Sequence, residues 1–201
     1  MKTPNIAILL LAAGASSRMG TPKQLLPWKG TVLLDHVLQM AEASAASEVI
    51  VILGSESENI KTALNGKVQV LENKDWQNGL GSSIACGLDY LIKNKKSVNG
   101  VLLMLGDQPL MDTTYLDNLI ASFTKGKKGI VASSYGSHAG VPALFGKQYF
   151  EALQNLESDA GARELLMKYS KDIQRLHAGK RVLDVDAPED YERLLASLDD
   201  Q

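Results

Sequence analysis

The sequence predicts an α/β protein, with residues 1–201 forming one domain around a single doubly wound, mostly parallel sheet covered by helices on both faces. Three observations point there. The apolar runs Ile6–Leu11, Glu48–Leu53 and Val101–Leu105 are continuous, whereas a sheet with one wet face alternates. Stretches with helical spacing separate these runs. The connections are short, with no internal repeat, low-complexity tract or linker, as expected of alternating strands and helices around one sheet.

Each element can be justified in order. Ile6–Leu11 (IAILLL) is the first strand. Helical spacing follows over Val32–Ala43, where Val32, Leu33, Val37, Leu38 and Ala41 share a face and Thr31 is a candidate N-cap. Glu48–Leu53 (EVIVIL) is β-branched and stops at Gly54, the mark of a second buried strand. Ser57–Leu64 reads as a short helix and Val68–Leu71 as a third strand. Ser82–Lys93 is helical, with Ile84, Leu88 and Leu91 on one side. Val101–Leu105 is the fourth strand and runs into Gly106-Asp107; Thr113–Phe123 is helical. Ile130–Ser133 and Val141–Phe145 are two further strands. Helices are expected over 147–155 and 160–169, a strand near Ile173–Leu176 and a last helix over Pro188–Leu198. Arg181–Val185 is a candidate for another short strand. Ligands of such sheets bind beyond the carboxyl ends of the strands, which singles out the ends after Leu11, Leu71 and Leu105.

Composition narrows the partners. Hydrophobic residues make up 45% of the chain, enough for a sizeable core; chains of this length bury roughly 70% of their unfolded surface. The formal net charge of −2 provides no global field for nucleic acid or an anionic membrane, so neither is expected as a partner and an anionic ligand must be held by local groups. The basic clusters Lys93–Lys96 and Lys125–Lys128 read as solvated loops. The single cysteine, Cys86, excludes an intrachain disulfide and fits a reducing compartment; it reads as helix core rather than a reactive thiol. Lys2 followed by an apolar run and small residues resembles a short signal peptide. Pro4, Asn5, the single Lys and the lone Cys speak against that, and a cytoplasmic location is expected. No apolar run approaches the roughly 18 residues of a membrane span.

The first strand end carries the densest chemistry. Gly14 and Gly20 can take positive φ and bring backbone N–H groups close to a ligand, and successive N–H groups form a concave anion site. Arg18 adds a forked cation and Lys23 a point cation, both suited to phosphate. The spacing fits neither a P-loop nor the dinucleotide G-x-G-x-x-G. A tight turn with solvated cations accounts for the same residues. After the third strand, Gly79 and Gly81 precede a helix whose cap is Ser82 or Ser83; the segment is either a capped turn or a holder of polar groups. Trp76 packs over that site, in the core or at the surface. After the fourth strand, Asp107 either caps a turn or holds Mg²⁺, which takes one or two carboxylates plus phosphate oxygens and water. A second carboxylate could come from Leu183–Tyr191, where Asp184 and Asp186 share a face if the stretch is extended. Pro188 suits the first helical position and leaves Ala187 as the cap. Ser158–Arg163 opens a helix, with Asp159 as a cap or the segment as an anion holder.

Residues 11–27, L-A-A-G-x-S-x-R-M-G-x-x-K-x-L-L-P, resemble the signature loop of the MobA-like molybdenum cofactor nucleotidyltransferases, and the resemblance covers nearly the whole chain. It implies a Rossmann-like fold of the nucleotide-diphospho-sugar transferase type and a Mg²⁺-dependent enzyme whose loop wraps a nucleoside triphosphate. Arg18 and Lys23 would grip the phosphates, while Leu11, Ala12, Ala13 and Gly14 lie near base and sugar. Gly81, Ser82 and Ser83 match the segment that contacts base and ribose. Gly106-Asp107-Gln108-Pro109 resembles the G-D-x-P metal motif; Asp186, opening an element similar to D-x-P-E-D with Ala187 in place of the usual Thr, would complete the Mg²⁺ site. Arg18, Lys23 and Asp107 are thus the implied catalytic set. Tyr135–Phe145 is similar to the acceptor strand G-x-P-x-x-F, with Gly140 and Pro142 shaping it. Gln108, Asp159 and Gly161 are further expected acceptor contacts, although Ser158 stands where the family usually has Gly. His138 receives no role. The guanylyl-transferring branch usually has Gly where this chain has Ala13, which favours CTP. The implied acceptor is a phosphate monoester, largely ionised at neutral pH because its second pKa is about 6. It attacks the α-phosphorus and expels pyrophosphate. The expected reaction is CMP transfer from CTP to molybdopterin, with a molybdoenzyme or its chaperone as a partner. A sugar phosphate acceptor and a non-catalytic nucleotide or cofactor carrier are the alternatives.

Overall fold

The computed structural model describes residues 4–65, 68–94, 97–156 and 161–199. Its strands are β1 (Ile6–Ala12), the two-residue strands β2 (Pro27–Trp28) and β3 (Thr31–Val32), β4 (Glu48–Leu53), β5 (Gln69–Glu72), β6 (Gly100–Leu105), β7 (Ile130–Tyr135), β8 (His138–Gly146) and β9 (Ile173–His177). Its α-helices are α1 (Leu33–Glu42), α2 (Ser57–Ala63), α3 (Leu80–Asn94), α4 (Thr113–Lys125), α5 (Phe150–Gln154), α6 (Arg163–Lys168) and α7 (Pro188–Asp199).

β1 is buried along its whole length and runs parallel to β4 on one side and β6 on the other. The seven-stranded sheet has the order β5-β4-β1-β6-β8-β7-β9. Only β8 runs antiparallel to its neighbours, closing a hairpin with β7 before the chain returns through β9 parallel to β7. The unbroken apolar character of β1 has a direct cause, since successive side chains of a strand point to opposite faces and both faces are covered. Ile6, Ile8 and Leu10 pack with Leu34, Val37 and Leu38 of α1 and Leu116 and Leu119 of α4. Ala7, Leu9 and Leu11 pack with Ile84, Leu88 and Leu91 of α3 and Leu153 of α5. Gly87 lets α3 sit close: a Cβ there would lie 2.7 Å from Leu9 Cδ1. This is the doubly wound, mostly parallel sheet expected from the sequence.

Three local expectations give way. α3 starts at Leu80, not Ser82, so Ser82 and Ser83 lie in its first turn and cap nothing; Gly79, at φ +88°, makes the entry. Thr31 does not cap α1 either, because its hydroxyl donates to the buried Asp35 carboxylate at 2.7 Å. The segment expected as a strand near Arg181–Val185 is a 3-10 turn, Gly179–Val182, followed by irregular chain. It crosses the end of β6 rather than lining a sheet edge, and Val185 N–H donates to the Asp107 carbonyl at 2.9 Å. α7 then begins at Pro188 as expected, with Asp190 accepting from the backbone N–H groups of Asp186 (3.3 Å) and Ala187 (3.0 Å). That is the backward half of a capping box. Among the described residues, no helix is long and apolar enough to cross a membrane.

Candidate active site

The carboxyl ends of β1 and β6 lie side by side, and the loop leaving β1 folds over them. Ser16 (φ +53°) and Gly20 (φ +68°) take the left-handed turns of this loop. Gly14 does not, and a Cβ on it would meet nothing within 4 Å. The loop is braced by a residue that the sequence did not single out. Gln24 is buried, and its Nε2 donates to the carbonyls of Ala12 (2.9 Å) and Gly14 (3.1 Å). Its Oε1 accepts from Ser16 Oγ at 3.2 Å, while Ser16 Oγ accepts from Lys23 N–H at 3.1 Å. A glutamine inside a polar loop motif leaves no periodicity signal; only its burial reveals the role.

The cations and carboxylates expected at phosphate and metal are paired with one another. Lys23 Nζ lies 2.5 Å from Asp107 Oδ2 and 3.1 Å from Asp186 Oδ1. Arg18, mostly exposed, reaches Asp186 Oδ2 at 3.4 Å. Burial works to lower the Lys23 pKa, but attraction and hydrogen bonds from Asp107 and Asp186 outweigh it, so the net shift is upward. The ammonium thus sits between the two carboxylates. A further observation fits a metal: Asp107 Oδ1 is buried and has no hydrogen-bond partner, an arrangement that is costly unless a ligand completes it. Among the described residues, no three His, Cys, Asp or Glu side chains form a cation site by themselves. A metal here would draw its remaining ligands from phosphate and water, as Mg²⁺ commonly does.

Asp184 and Asp186 leave the irregular segment towards different partners. Asp184 Oδ1 accepts from Gln108 Nε2 at 2.8 Å, and the same amide nitrogen donates to Tyr135 Oη at 3.1 Å. Tyr135 in turn donates to the Val141 carbonyl. Burial first, then the nearby Asp107 charge, pushes Asp184 up to about 6. Burial likewise raises Tyr135 to about 12. Gln108, expected at the acceptor, has no exposed surface and both amide hydrogens engaged. It therefore joins the end of β6 to the wall of a neighbouring cavity instead of facing it.

Two cavities flank these groups. The first, about 410 Å³, is walled by Leu11, Ala12, Ala13, Gly14 and Lys23, by Trp76, Gly79, Leu80 and Ser83, and by Leu105, Gly106 and Asp107. Trp76 is pressed against the strand end: a Cβ on Gly54 would lie 2.5 Å from Trp76 Cβ and 2.7 Å from the Ala13 carbonyl. Ser82 and Gly81 are not part of this wall; Ser82 Oγ donates towards the carbonyls of Asp75 and Gly79 and accepts from Asn73. The second cavity, about 270 Å³, begins on the other side of Leu80 and is lined by Tyr135, Gly140, Val141, Ala162 and Arg163 among others. Pro142 follows through a cis peptide bond. Gly161 (φ +53°) abuts Leu80, where a Cβ would fall 2.7 Å from Cδ2. Asp159 and Ser158 lie outside the described residues.

The model of the MobA-like NTP transferase domain matches residues 8–173. The chain belongs to that family. It is a nucleotidyltransferase domain, and the loop after β1, Asp107 and the β7–β8 hairpin all fall within the matched span. A curated relative is 30% identical over 204 residues, covering 96% of this chain and 97% of its own: the nicotine blue oxidoreductase of Paenarthrobacter nicotinovorans. A crystal structure from Mycobacterium sp. strain JC1, a homologue of Rv0371c, superposes with a TM-score of 0.82 at 33% identity over 96% of both chains. Rv0371c of Mycobacterium tuberculosis in complex with manganese superposes at 0.79, with 29% identity over 96% of this chain and 99% of that one. Within this family member, Gln24, Trp76 and Asp184 are the site residues to which sequence reasoning gave no settled role.

Proposed function

We propose that this MobA-like domain, acting as one unit over residues 1–201, transfers CMP from CTP to molybdopterin in a Mg²⁺-dependent reaction that releases pyrophosphate. The observation that carries the reading is Lys23 bridging Asp107 and Asp186 at the mouth of the first cavity, with Asp107 Oδ1 left unpartnered. Asp107 and Asp186 would hold the metal, which supplies charge neutralisation and orientation at the α-phosphate. On triphosphate binding, Lys23 would exchange its carboxylate partners for phosphate oxygens, and the exposed Arg18 is free to turn to the same phosphates. The backbone of Ala12–Gly14, fixed by Gln24, and the face of Trp76 would hold the nucleoside. No protein nucleophile is needed, because the acceptor phosphate is already ionised at neutral pH. The chain's contribution is positioning and electrostatics. Ala13 supports cytidine as the base. The manganese complex of the 29% identical Rv0371c supports a divalent cation.

The test is pyrophosphate release by purified protein with Mg²⁺, a molybdopterin source and each of the four nucleoside triphosphates. CTP-dependent release is expected. Release with a sugar phosphate in place of molybdopterin would reassign the acceptor, and nucleotide binding without release would make the chain a carrier. The name of the 30% identical relative favours a second reading, oxidoreductase activity on nicotine blue. Reduction of nicotine blue by the purified protein with an added reductant, with no pyrophosphate from any nucleotide, would establish that reading.

A further inference from the structure

The carbonyl groups where the chain leaves β1 are all engaged. Leu11 O accepts from Gly106 N–H at 2.9 Å and Ala13 O from Ser55 N–H at 3.2 Å. Ala12 O and Gly14 O both accept from Gln24 Nε2, at 2.9 and 3.1 Å. Gln24 is only 3% exposed, yet it borders the first cavity beside those residues. Its amide cannot turn round without setting Oε1 against two carbonyl oxygens. Ser16 Oγ, donating to Oε1 at 3.2 Å, fixes the observed orientation. One amide nitrogen thus uses both of its hydrogens on the carbonyls of alternate loop residues. Among the described residues, the N–H groups of Ala13 and Gly14 meet no acceptor. On this part of the wall the backbone keeps donors for a ligand and no unengaged acceptor.

We propose that Gln24 is a positioning residue that sets base specificity: by occupying the Ala12 and Gly14 carbonyls it makes the β1 loop a donor-only face, selective for a pyrimidine with two adjacent acceptors. The inference deepens the proposed function and rests on it for the placing of the base against Ala12–Gly14. In cytosine, N3 and O2 stand side by side and both accept. Uracil has the same size and the same O2, but its N3 carries a hydrogen, so a donor would meet a donor. Guanine would oppose the loop with N1–H and its 2-amino group for the same reason. Discrimination of this kind comes from the buried polar groups that the wrong ligand leaves unpaired. Without Gln24 the two carbonyls would be free to accept, and the loop would take N3–H as readily as a bare N3.

The probes are CTP, UTP, pyrimidin-2-one ribonucleoside triphosphate and inorganic tripolyphosphate, each titrated calorimetrically with Mg²⁺ into the full chain. The pyrimidinone keeps N3 and O2 and lacks the 4-amino group, so it isolates the two acceptors. In the unaltered protein it should bind comparably to CTP, and both roughly tenfold or more tightly than UTP. Equal binding of CTP and UTP would overturn the donor-only face. So would a pyrimidinone nucleotide that binds as weakly as UTP, because the discrimination would then lie at the 4-amino group. In Gln24→Met the advantage of CTP over UTP should vanish while tripolyphosphate affinity stays unchanged. Ser16→Ala disturbs the same loop without freeing the carbonyls and should keep the advantage. An advantage that persists in Gln24→Met, one that is lost equally in Ser16→Ala, or a uniform loss of affinity that reaches tripolyphosphate would each overturn the role of Gln24. These outcomes are separate from those of the pyrophosphate assay. No turnover with any nucleotide, together with a CTP advantage that disappears in Gln24→Met, would remove the proposed reaction and leave the role of Gln24 standing.

Discussion

Replacing Lys23 by Met keeps its stem and removes the charge between Asp107 and Asp186. The side chains of Lys23 and Asp107 are only 16% and 18% exposed. An exposed ion pair contributes about 0–1 kcal/mol, while breaking a buried one costs about 3–5 kcal/mol. This pair lies between those limits, so a loss of about 2–3 kcal/mol is expected. For a chain of this length, each kcal/mol lowers Tm by about 2–4 °C, giving a drop of roughly 5–10 °C. The raised Lys23 pKa fixes the pH window. The pair's contribution is complete below the ordinary value of 10.5 and is lost only as pH rises through the higher folded value. Measurements at pH 7 therefore read the full effect.

Mg²⁺ separates this account from a general packing defect. With Asp107 and Asp186 as the metal ligands we propose, a divalent cation would displace the ammonium in the unaltered protein; in Lys23→Met it would meet two carboxylates with no competitor. At tenfold its Kd, a ligand of the native state adds about 1.4 kcal/mol, so Mg²⁺ should restore roughly half of the lost stability in the variant and do much less for the parent. The assay is thermal unfolding in EDTA and in a Mg²⁺ series at constant ionic strength. A variant that melts within 2 °C of the parent, about the smallest shift that one kcal/mol produces, would refute the ion-pair reasoning. Equal Mg²⁺ stabilisation of both proteins would refute the shared cation position.

Further expectations concern the surrounding groups. Asp184 is raised from 3.8 to about 6, so the folded state holds its proton more tightly and stability falls as pH rises between those values. Each pKa unit is worth about 1.36 kcal/mol, and partial exposure reduces the total to about 1–2 kcal/mol; Asp184→Asn, which keeps the acceptor for Gln108, should raise Tm at pH 7 and flatten its decline above pH 4, as a pH series of melts will show. Asp35 has the opposite sign. Burial alone would raise its pKa, but donors from Thr31, Asn65 and Gln39 pull it below 3.8, so its contribution is present above that value and lost as pH falls through the lower folded one; Asp35→Ala strands those donors and should cost about 3 kcal/mol, measured by urea unfolding at pH 7. Gly54→Ala places a Cβ 2.5 Å from Trp76, so it should push the indole out of the first cavity and weaken CTP binding at least tenfold, read by nucleotide titration.

The legible part of this protein is what burial on both faces imposes on a strand. β1, β4 and β6 had to be apolar throughout, and the sequence placed each within about a residue of its observed span. β7 and β8 were equally visible as strands, but nothing in their side chains states that β8 inserts antiparallel between β6 and β7; order and direction follow from long-range packing. The motif residues could be named because glycine, cation and carboxylate stand at chemically suggestive strand ends. Their partners could not. Lys23 and Asp186 are 163 positions apart, and no spacing rule joins them. Residues 179–187 show the same limit most clearly. Alternating Leu183, Val185 and two aspartates imitates a strand, yet no edge is available there and the backbone is claimed by the end of β6.

That displacement has a functional consequence. An extended strand would have presented Asp184 and Asp186 on one face, as twin ligands. The irregular path gives Asp186 to Lys23 and Asp184 to Gln108, so one carboxylate serves the first cavity and the other reaches the second through Tyr135. The two cavities are therefore linked twice, by Leu80 in their shared wall and by the Asp184–Gln108–Tyr135 hydrogen bonds behind it. A change at either side of this link must strain or release a buried polar chain, whose unpaired members are costly. Gln108→Leu separates the consequences. It strands Asp184 and takes one hydrogen bond from Tyr135, which lines the second cavity and keeps only its bond to Val141, so separate titrations should show weakened molybdopterin binding and an unchanged CTP affinity.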